Sequence, residues 1–470
     1  MEIFLPENPA AIQEKIAHRM TTKNHNLLGR TDIKSVSSDL RRSILGDDGD
    51  RPVILTGHQP IFYTPGILMK DLLADAVARE SGGHALNIIV DTDEEEISFT
   101  SPDLKNNRLI KNRLDLNRTG VPLKFQKLAA ERKNRMHRML GDLELRMSAI
   151  VSPAVTGQVR KWISRTKDIV SDSEMVLDPG VRLREAWERE NSVRLTSIYA
   201  SDLVKSRAFS VFVKMIQDNS TAFRAAYNQA LHDYRKEHRI KNMAQPLPDL
   251  DGETGELPFW AIMGERRTPF TEFMDPDRYD IYPRAVAMTL FCRIFLCDLF
   301  IHGRGGGRYD LITDRIFTEF FDCEAAPFSV ASATLAVESR ADYAVESRSR
   351  FEILRDLRAF QFDPTRFLSP QHSIRLEKEE QIKVFHENPA KRPILHRAFM
   401  DLNQRAQSEL QGLKRALEEE KIRMNCVAEN NAVFCDRNYP FFFYNLQPLM
   451  EAVKPYKRIE SKKPVPAQAG

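Results

Sequence analysis

Residues 52–77 read Pro52-Val-Ile-Leu-Thr-Gly-His-Gln-Pro-Ile-Phe-Tyr-Thr-Pro-Gly-Ile-Leu-Met-Lys-Asp-Leu-Leu-Ala-Asp-Ala-Val77. Val53–Thr56 is a continuous apolar strand. It runs into Gly57-His58-Gln59-Pro60 and then a helical pattern over Ile67–Val77, with Leu68, Leu72, Leu73 and Ala76 on one face. A second apolar run, Leu86–Val90, ends in Asp91-Thr92-Asp93-Glu94. Strand, helix and strand in this order imply two parallel strands with the helix crossing one face. Strands that are apolar throughout suit a parallel sheet covered on both sides. The fold class that follows is α/β, with a Rossmann-like parallel-sheet core.

Outward from this unit, Leu128–Ile240 is charge-rich and mainly helical, and 246–255 is a loop by composition. The α/β pattern then returns. Arg284–Phe295 reads as helix, Cys297–Ile301 as a buried strand, His302–Gly307 as a tight loop, Tyr309–Phe321 as helix and Pro327–Ala331 as the next strand. The core is therefore expected in two halves, 1–127 and 257–337, around a helical insertion at 128–256. Over 338–437 a helical arm is expected. Its stretch Pro393–Val427 carries Leu395, Phe399, Leu402, Ala406, Leu410, Leu413, Leu417 and Met424 at alternating threes and fours. That is a coiled-coil-like seam with a stutter, able to pair two copies as a homodimer or to fold back within one chain. The last part, 438–470, combines an aromatic docking segment, Asn438–Tyr444, with a tail expected to be disordered.

Lys and Arg total 69 against 66 Asp and Glu, a net charge of +3, which gives no electrostatic case for nucleic acid. The five cysteines contain no CxxC pair, so reduced thiols in a cytoplasm are expected. Cys292 and Cys297, in apolar surroundings, read as buried and inert. The N-terminal residues show no secretory pattern, and the apolar stretch Ala285–Ile301 is broken by Arg293 and Asp298, so no membrane association is expected.

Three constellations carry chemistry. Thr56-Gly57-His58-Gln59 lies where ligands bind an α/β unit, at a strand's carboxyl end. A glycine there admits a ligand close to the backbone, and a histidine serves as acid, base or oxyanion donor near neutral pH. Lys70 follows on the helix. Asp91 and Asp93 end the second strand, where carboxylates bind hydroxyls or an amine. Their neighbours Glu95 and Glu96 read as surface. The third is His302-Gly303-Arg304-Gly305-Gly306-Gly307-Arg308-Tyr309-Asp310, which is neither a Walker A loop nor a GxGxxG fingerprint, yet is a plausible anion cradle. Arg284 precedes it and is placed to reach the same pocket. The candidate set is thus His58, Asp91 and Asp93 for catalysis. Thr56, Gly57, Gln59, Lys70, Arg284, His302, Gly303, Arg304, Gly305, Gly306 and Arg308 are the candidates for holding a small anionic substrate. No spacing matches a metal site, and Trp260 is either a pocket wall or core.

The stretch Val53–Ala74, the acidic end of the second strand, the loop after Asp298-Leu-Phe-Ile-His and the run Ala331-Ser-Ala-Thr-Leu335 resemble corresponding motifs of the bacillithiol synthase family. In the family the first turn reads Thr-Gly-Gln-Gln and the later loop Gly-Gly-Pro-Gly-Glu. Here they read Thr-Gly-His-Gln and Gly-Arg-Gly-Gly-Gly-Arg. The resemblance implies a Rossmann-like core with insertions, a helical domain that pairs subunits, and a ligase-like activity joining cysteine or a similar amino acid to the amine of a sugar-containing acceptor. ATP or another nucleotide is the expected activator where a carboxylate is activated. The added positive and proton-transfer groups imply a changed, more anionic substrate. Two other expectations stand beside this one: a nucleotidyltransferase-like enzyme, which the core also resembles, and a non-catalytic binding or assembly protein.

Overall fold

The computed structural model describes residues 1–6, 8–22, 27–106, 108–117, 120–340 and 350–457. These fall into two compact units. One comprises Met1–Asp103, Lys111–Glu338 and the segment from Asp436 on; the other comprises Leu104–Ile110 and Ser339–Cys435.

The first unit is built on a five-stranded, wholly parallel sheet of β2 (Val53–His58), β3 (His84–Ile89), β6 (Thr196–Tyr199), β10 (Leu299–His302) and β11 (Phe328–Val330). The spatial order is β11-β10-β2-β3-β6, and every adjacent pair is parallel. Strand order therefore reverses direction between β2 and β10, as in doubly wound sheets. Helix α3 (Pro65–Ser81) crosses from β2 to β3 and packs on both. It is stopped by Gly82, which takes the left-handed conformation at φ 66°. Val53, Leu55, Leu86 and Ile88 point to the other face. There they share a core with α2 (Ile33–Leu45), α8 (Arg207–Asp218), α9 (Ser220–Glu237), α10 (Ala285–Phe295) and α11 (Arg304–Ile316). Both faces are covered, which is why these strands are apolar without alternation.

The 128–256 segment is more than a helical insertion. After α4 (Ala130–Ile150), α5 (Pro153–Asp172) and α6 (Asp178–Glu190) it supplies the edge strand β6, then α7 (Ala200–Leu203). Thr196-Ser-Ile-Tyr199 has no apolar run because an edge strand buries little; none of its four residues is fully buried. Two antiparallel pieces also went unread: the pair β4 (Ser98–Lys105) and β5 (Arg108–Asp115), and a three-stranded sheet of β7 (Glu256–Met263), β8 (Arg266–Thr271) and β9 (Asp280–Pro283). β1 (Glu2–Phe4) pairs with β12 (Ser332–Thr334). The aromatic run near the C-terminus packs into this unit. Phe441 meets Trp162 and Trp187, and Phe442 and Phe443 meet Phe99. The tail from 458 lies outside the described residues.

The second unit is helical: α12 (Arg350–Phe362), α13 (Ser373–Glu387), α14 (Arg392–Glu409) and α15 (Gln411–Phe434). The seam over Pro393–Val427 is not one continuous helix. It breaks at Leu410, and only Leu402, Ala406 and Leu417 of the expected stripe are buried. α13 packs on α14 and α12 on α15, so part of the seam is covered within the chain. No helix among the described residues is long and apolar enough to cross a membrane.

Under α3 lies a buried polar cluster. Asn87 donates to Asp71 Oδ1 (2.8 Å), Arg184 Nε stands 3.4 Å from Glu188 Oε1, and the Arg184 guanidinium lies over the Tyr63 ring at 5.3 Å. One guanidinium faces Asp71, Glu185 and Glu188, so the carboxylates cannot all ionise there at low cost. Burial pushes Glu188 up to about 8 and Asp71 up to about 6, partly opposed by Arg184. The folded chain thus keeps protons that the unfolded chain releases above its ordinary carboxylate values. The stability this cluster contributes is full at acidic pH and is lost as pH rises toward 8. Glu188→Gln is expected to flatten that slope. Urea midpoints at pH 5 and pH 8 should differ less in the variant than in the wild type, and equal slopes would refute the assignment.

Candidate functional site

The reversal between β2 and β10 opens a cleft of about 730 Å³ at the carboxyl ends of the strands. Its walls come from segments far apart in the chain: the end of β2, the start of α3, the loop after β3, β7 to β9, the start of α10, the start of α11, β12 and Arg437-Asn438.

Lys70 occupies the middle. Its side chain is 4% exposed, its Nζ donates to Gly57 O at 2.6 Å, and its Cδ is the closest atom to where a Gly303 side chain would begin. The ammonium thus stands between the ends of β2 and β10. Burial pushes it down to about 8, so it is still charged at neutral pH. Of its three donors, one is used by Gly57 among the described residues.

Three helix starts face the same space. Thr64, Gly66 and Ile67 open α3, Arg284 and Ala285 open α10, and Gly303, Gly305 and Gly306 open α11. First-turn N–H groups have no intrahelical acceptor, and the helix dipole adds partial positive charge. In α11 the first N–H to find a backbone acceptor is that of Gly307, which donates to Gly303 O (3.0 Å); in α10 it is Met288, to Arg284 O (2.9 Å).

The expected glycine loop is therefore corrected. Arg304-Gly-Gly-Gly307 is the first turn of a helix, not a loop before one. Glycine is needed there for room. A Cβ on Gly306 would lie 2.8 Å from His302 Nδ1, and one on Gly307 would lie 2.4 Å from Val330 Cγ2. Arg304 and Arg308 point out of the cleft. Arg304 pairs with Glu2 and lies over Phe4, and both arginines are exposed. They do not supply the cleft's charge. Arg437, Arg267 and Arg284 line it instead. Arg267 pairs with Asp93 (3.0 Å) and Glu94 (2.9 Å), and Arg284 with Glu256 (2.5 Å). Both guanidiniums lie over Trp260, at 4.9 and 4.0 Å. Trp260 is thus a wall of the cleft. Arg437 has no ion-pair partner among the described residues.

His58 ends β2. Gly57 and His58 belong to the strand, so their N–H groups are not a phosphate-binding turn. Gly57 lines the cleft, but its lack of a side chain serves packing: a Cβ would lie 3.0 Å from Ile88 O. His58 Nδ1 lies 3.1 Å from Gln59 O. A carbonyl can only accept, so Nδ1 carries the proton and Nε2 presents a lone pair. Burial, then the Lys70 charge, push His58 down to about 3, so it is neutral near pH 7. It is a hydrogen-bond acceptor, which corrects its reading as acid or oxyanion donor.

His302 ends β10, stacked on Phe300 with ring centroids 4.0 Å apart. Its Nε2 lies 2.6 Å from Oδ2 of Asp310, a residue 1% exposed two turns into α11, whose other neighbour is Arg293 at 3.7 Å. The contact is a close charge approach without hydrogen-bond alignment, and Nδ1 faces Gly306 at the α11 start. Asp310 closes the stretch singled out in the sequence, but its role carried no signal there, because its partner stands eight residues earlier across a strand-to-helix turn.

The acidic pair separates. Asp91 does not line the cleft. It accepts from Ser201 N (2.9 Å) and Ser201 Oγ (2.6 Å), capping α7, and burial raises its carboxyl. Asp93 does line it, held by Arg267 and by Gln59 Nε2 (3.1 Å). Thr56 is fully buried inside β2 and outside the lining. Among the described residues no group of three or more His, Cys, Asp or Glu could hold a metal ion.

Comparison with known proteins adds little. No family model matches the chain, and no curated protein matches it. Among solved structures, tyrosyl-tRNA synthetase complexed with L-tyrosine from Archaeoglobus fulgidus is similar at 11% identity, covering 90% of this chain and 99% of that one, with a TM-score of 0.25. A likeness of that size carries no argument.

The His302 geometry is testable. Gly306→Ala should lower the melting temperature, since the new methyl meets the His302 ring at 2.8 Å and displacing that stacked ring costs more than the about 0.5–1 kcal/mol that alanine gains over glycine in a helix. It should also shift the His302 ring signals in a proton NMR spectrum, because the methyl occupies the space beside Nδ1. Unmoved signals would show that the ring does not rest on the glycine.

Proposed function

We propose that the chain is an enzyme that binds a phosphate- or carboxylate-bearing small molecule in this cleft and forms a carbon–nitrogen bond, as the resemblance to the bacillithiol synthase family implies. The observation that carries the anionic substrate is the Lys70 ammonium, buried, charged and using one of its donors, at the convergence of three helix starts. The anion sits against Lys70 and the N–H groups of Gly305 and Gly306. The His302–Asp310 pair accepts the proton that an attacking amine must lose, and neutral His58 orients that amine through Nε2. Asp93 acts by holding Gln59 and Arg267 in place rather than by binding substrate. ATP is the activator expected if the acid component arrives as a free carboxylate. The second reading, nucleotidyl transfer, draws on one observation: a cleft of about 730 Å³ has room for a whole nucleotide. Pyrophosphate release separates the two.

Isothermal titration of the full chain with ATP tests the site. Lys70→Met should weaken binding at least tenfold. In the wild type the affinity should fall as pH rises through about 8, where the free enzyme's Lys70 loses its proton, and this dependence should vanish in the variant. ATP binding indifferent to both would sink the assignment, and the same titration with cysteine and amino-sugar acids names the substrate class.

A further inference from the structure

The opposite end of the sheet holds a second cationic recess. Arg19, on α1 (Pro9–Thr22), is 6% exposed. Its Nη1 donates to Glu324 O at 3.2 Å and its Nη2 to Arg293 O at 3.4 Å, both long, and its Nε has no partner. No carboxylate pairs with it among the described residues. Asp298, the negative group that acts on it most, is already committed. It holds Arg41 through Nη1 (3.3 Å) and Nη2 (2.9 Å) and accepts the Val53 N–H at 2.9 Å. Burial lowers the basicity of the Arg19 guanidinium, yet an arginine stays protonated in proteins. A buried cation whose nearest counter-charge is shared with a second arginine and makes no ion pair with it is costly, and such charges are ordinarily paired.

Arg19 lines a cavity of about 100 Å³ with Lys34, Ser37, Ser38, Arg41 and Asp50. Three cations meet the carboxylates of Asp50 and Asp298 there. Ile33 and Lys34 form the first turn of α2, and its N-cap residue, Asp32, makes no capping bond because Arg30 holds its carboxylate at 3.0 and 2.9 Å. The Ser38 hydroxyl has no partner among the described residues. The volume suits one tetrahedral oxyanion, being several times the roughly 30 Å³ of a water molecule and well under the roughly 300 Å³ at which ligand pockets begin.

We infer that this recess is a second anion site, which takes a single phosphate group between Arg19, Lys34 and the start of α2. It lies at the amino ends of β2 and β10, the length of a strand away from the cleft, so its ligand and the cleft's do not compete.

Isothermal titration of the full chain with inorganic phosphate is expected to show two binding events. Arg19→Gln should remove one and leave the other, Lys34→Glu should weaken that same event at least tenfold, and Lys70→Met should remove only its counterpart. If Arg19→Gln does not give a native circular-dichroism spectrum, Lys34→Glu, a change at the exposed rim, decides alone. Phosphate binding unchanged by both Arg19→Gln and Lys34→Glu overturns this site while leaving the cleft standing. Loss in Arg19→Gln with none in Lys70→Met keeps this site and sinks the cleft. Adenosine monophosphate binding more tightly than phosphate at the Arg19-dependent event assigns a phosphate ester whose remainder leaves through the mouth; weaker binding assigns free phosphate.

Discussion

Strand β2 is paired in parallel on both edges, and the chain leaves it toward β3 yet returns beside it as β10. Parallel neighbours cannot be joined by a tight turn. Each connection must cross a face and re-enter from the same end, so all the loops that leave the strands gather at one edge. Where the two directions diverge no loop covers the sheet, and a cleft is left open. The starts of α3 and α11 gather there because a crossover helix begins near the carboxyl end of the strand before it, and α10 starts there because it must run back to the amino end to enter β10.

Charge placement follows from this geometry. Helix starts already offer unpaired N–H groups, so a buried lysine among them adds to a positive field that Asp71, beside it on α3, offsets only in part. The acidic residues that could have cancelled it are committed elsewhere: Asp93 to Arg267, Glu256 to Arg284, Asp310 to His302. The polar cluster under α3 shows the opposite balance, with more carboxylates than cations around Arg184. These buried groups cost on the order of several kcal/mol per ion, and the apolar core shared by the sheet and five helices offsets them.

The parts of the fold legible in the sequence were those with local signals. β2, α3, β3 and β10 declare themselves by apolar runs and helical spacing, and Lys70 and His302 by position. What stayed hidden was set by contacts distant in the chain. β6 is short and exposed, so it carries no apolar run. Asp91 reads as a site residue at a strand end, and only the fold reveals that it caps a helix beginning at Ala200. The three glycines after Arg304 read as a loop because glycine disfavours helices; the neighbouring His302 ring and Val330 explain why a helix accepts them. Arg267 and Arg437 reach the cleft from an antiparallel sheet and from the chain's last part, where no local pattern marks them. The helical unit shows the limit of periodicity: spacing over 393–427 predicts a seam, but not the break at Leu410.

The separation of β2 from β10 also sets how the chain must be made. At roughly 5–20 residues per second, β2 leaves the ribosome on the order of ten seconds or more before the strand that covers its second edge. Until then that edge presents unpaired backbone groups and the apolar residues Val53 and Leu55, the surface that invites pairing with other chains. Arg41, buried beside that edge, waits as long for Asp298. The nascent chain thus carries an incomplete sheet through most of its synthesis, and its yield in a cell depends on what shields that edge in the interval.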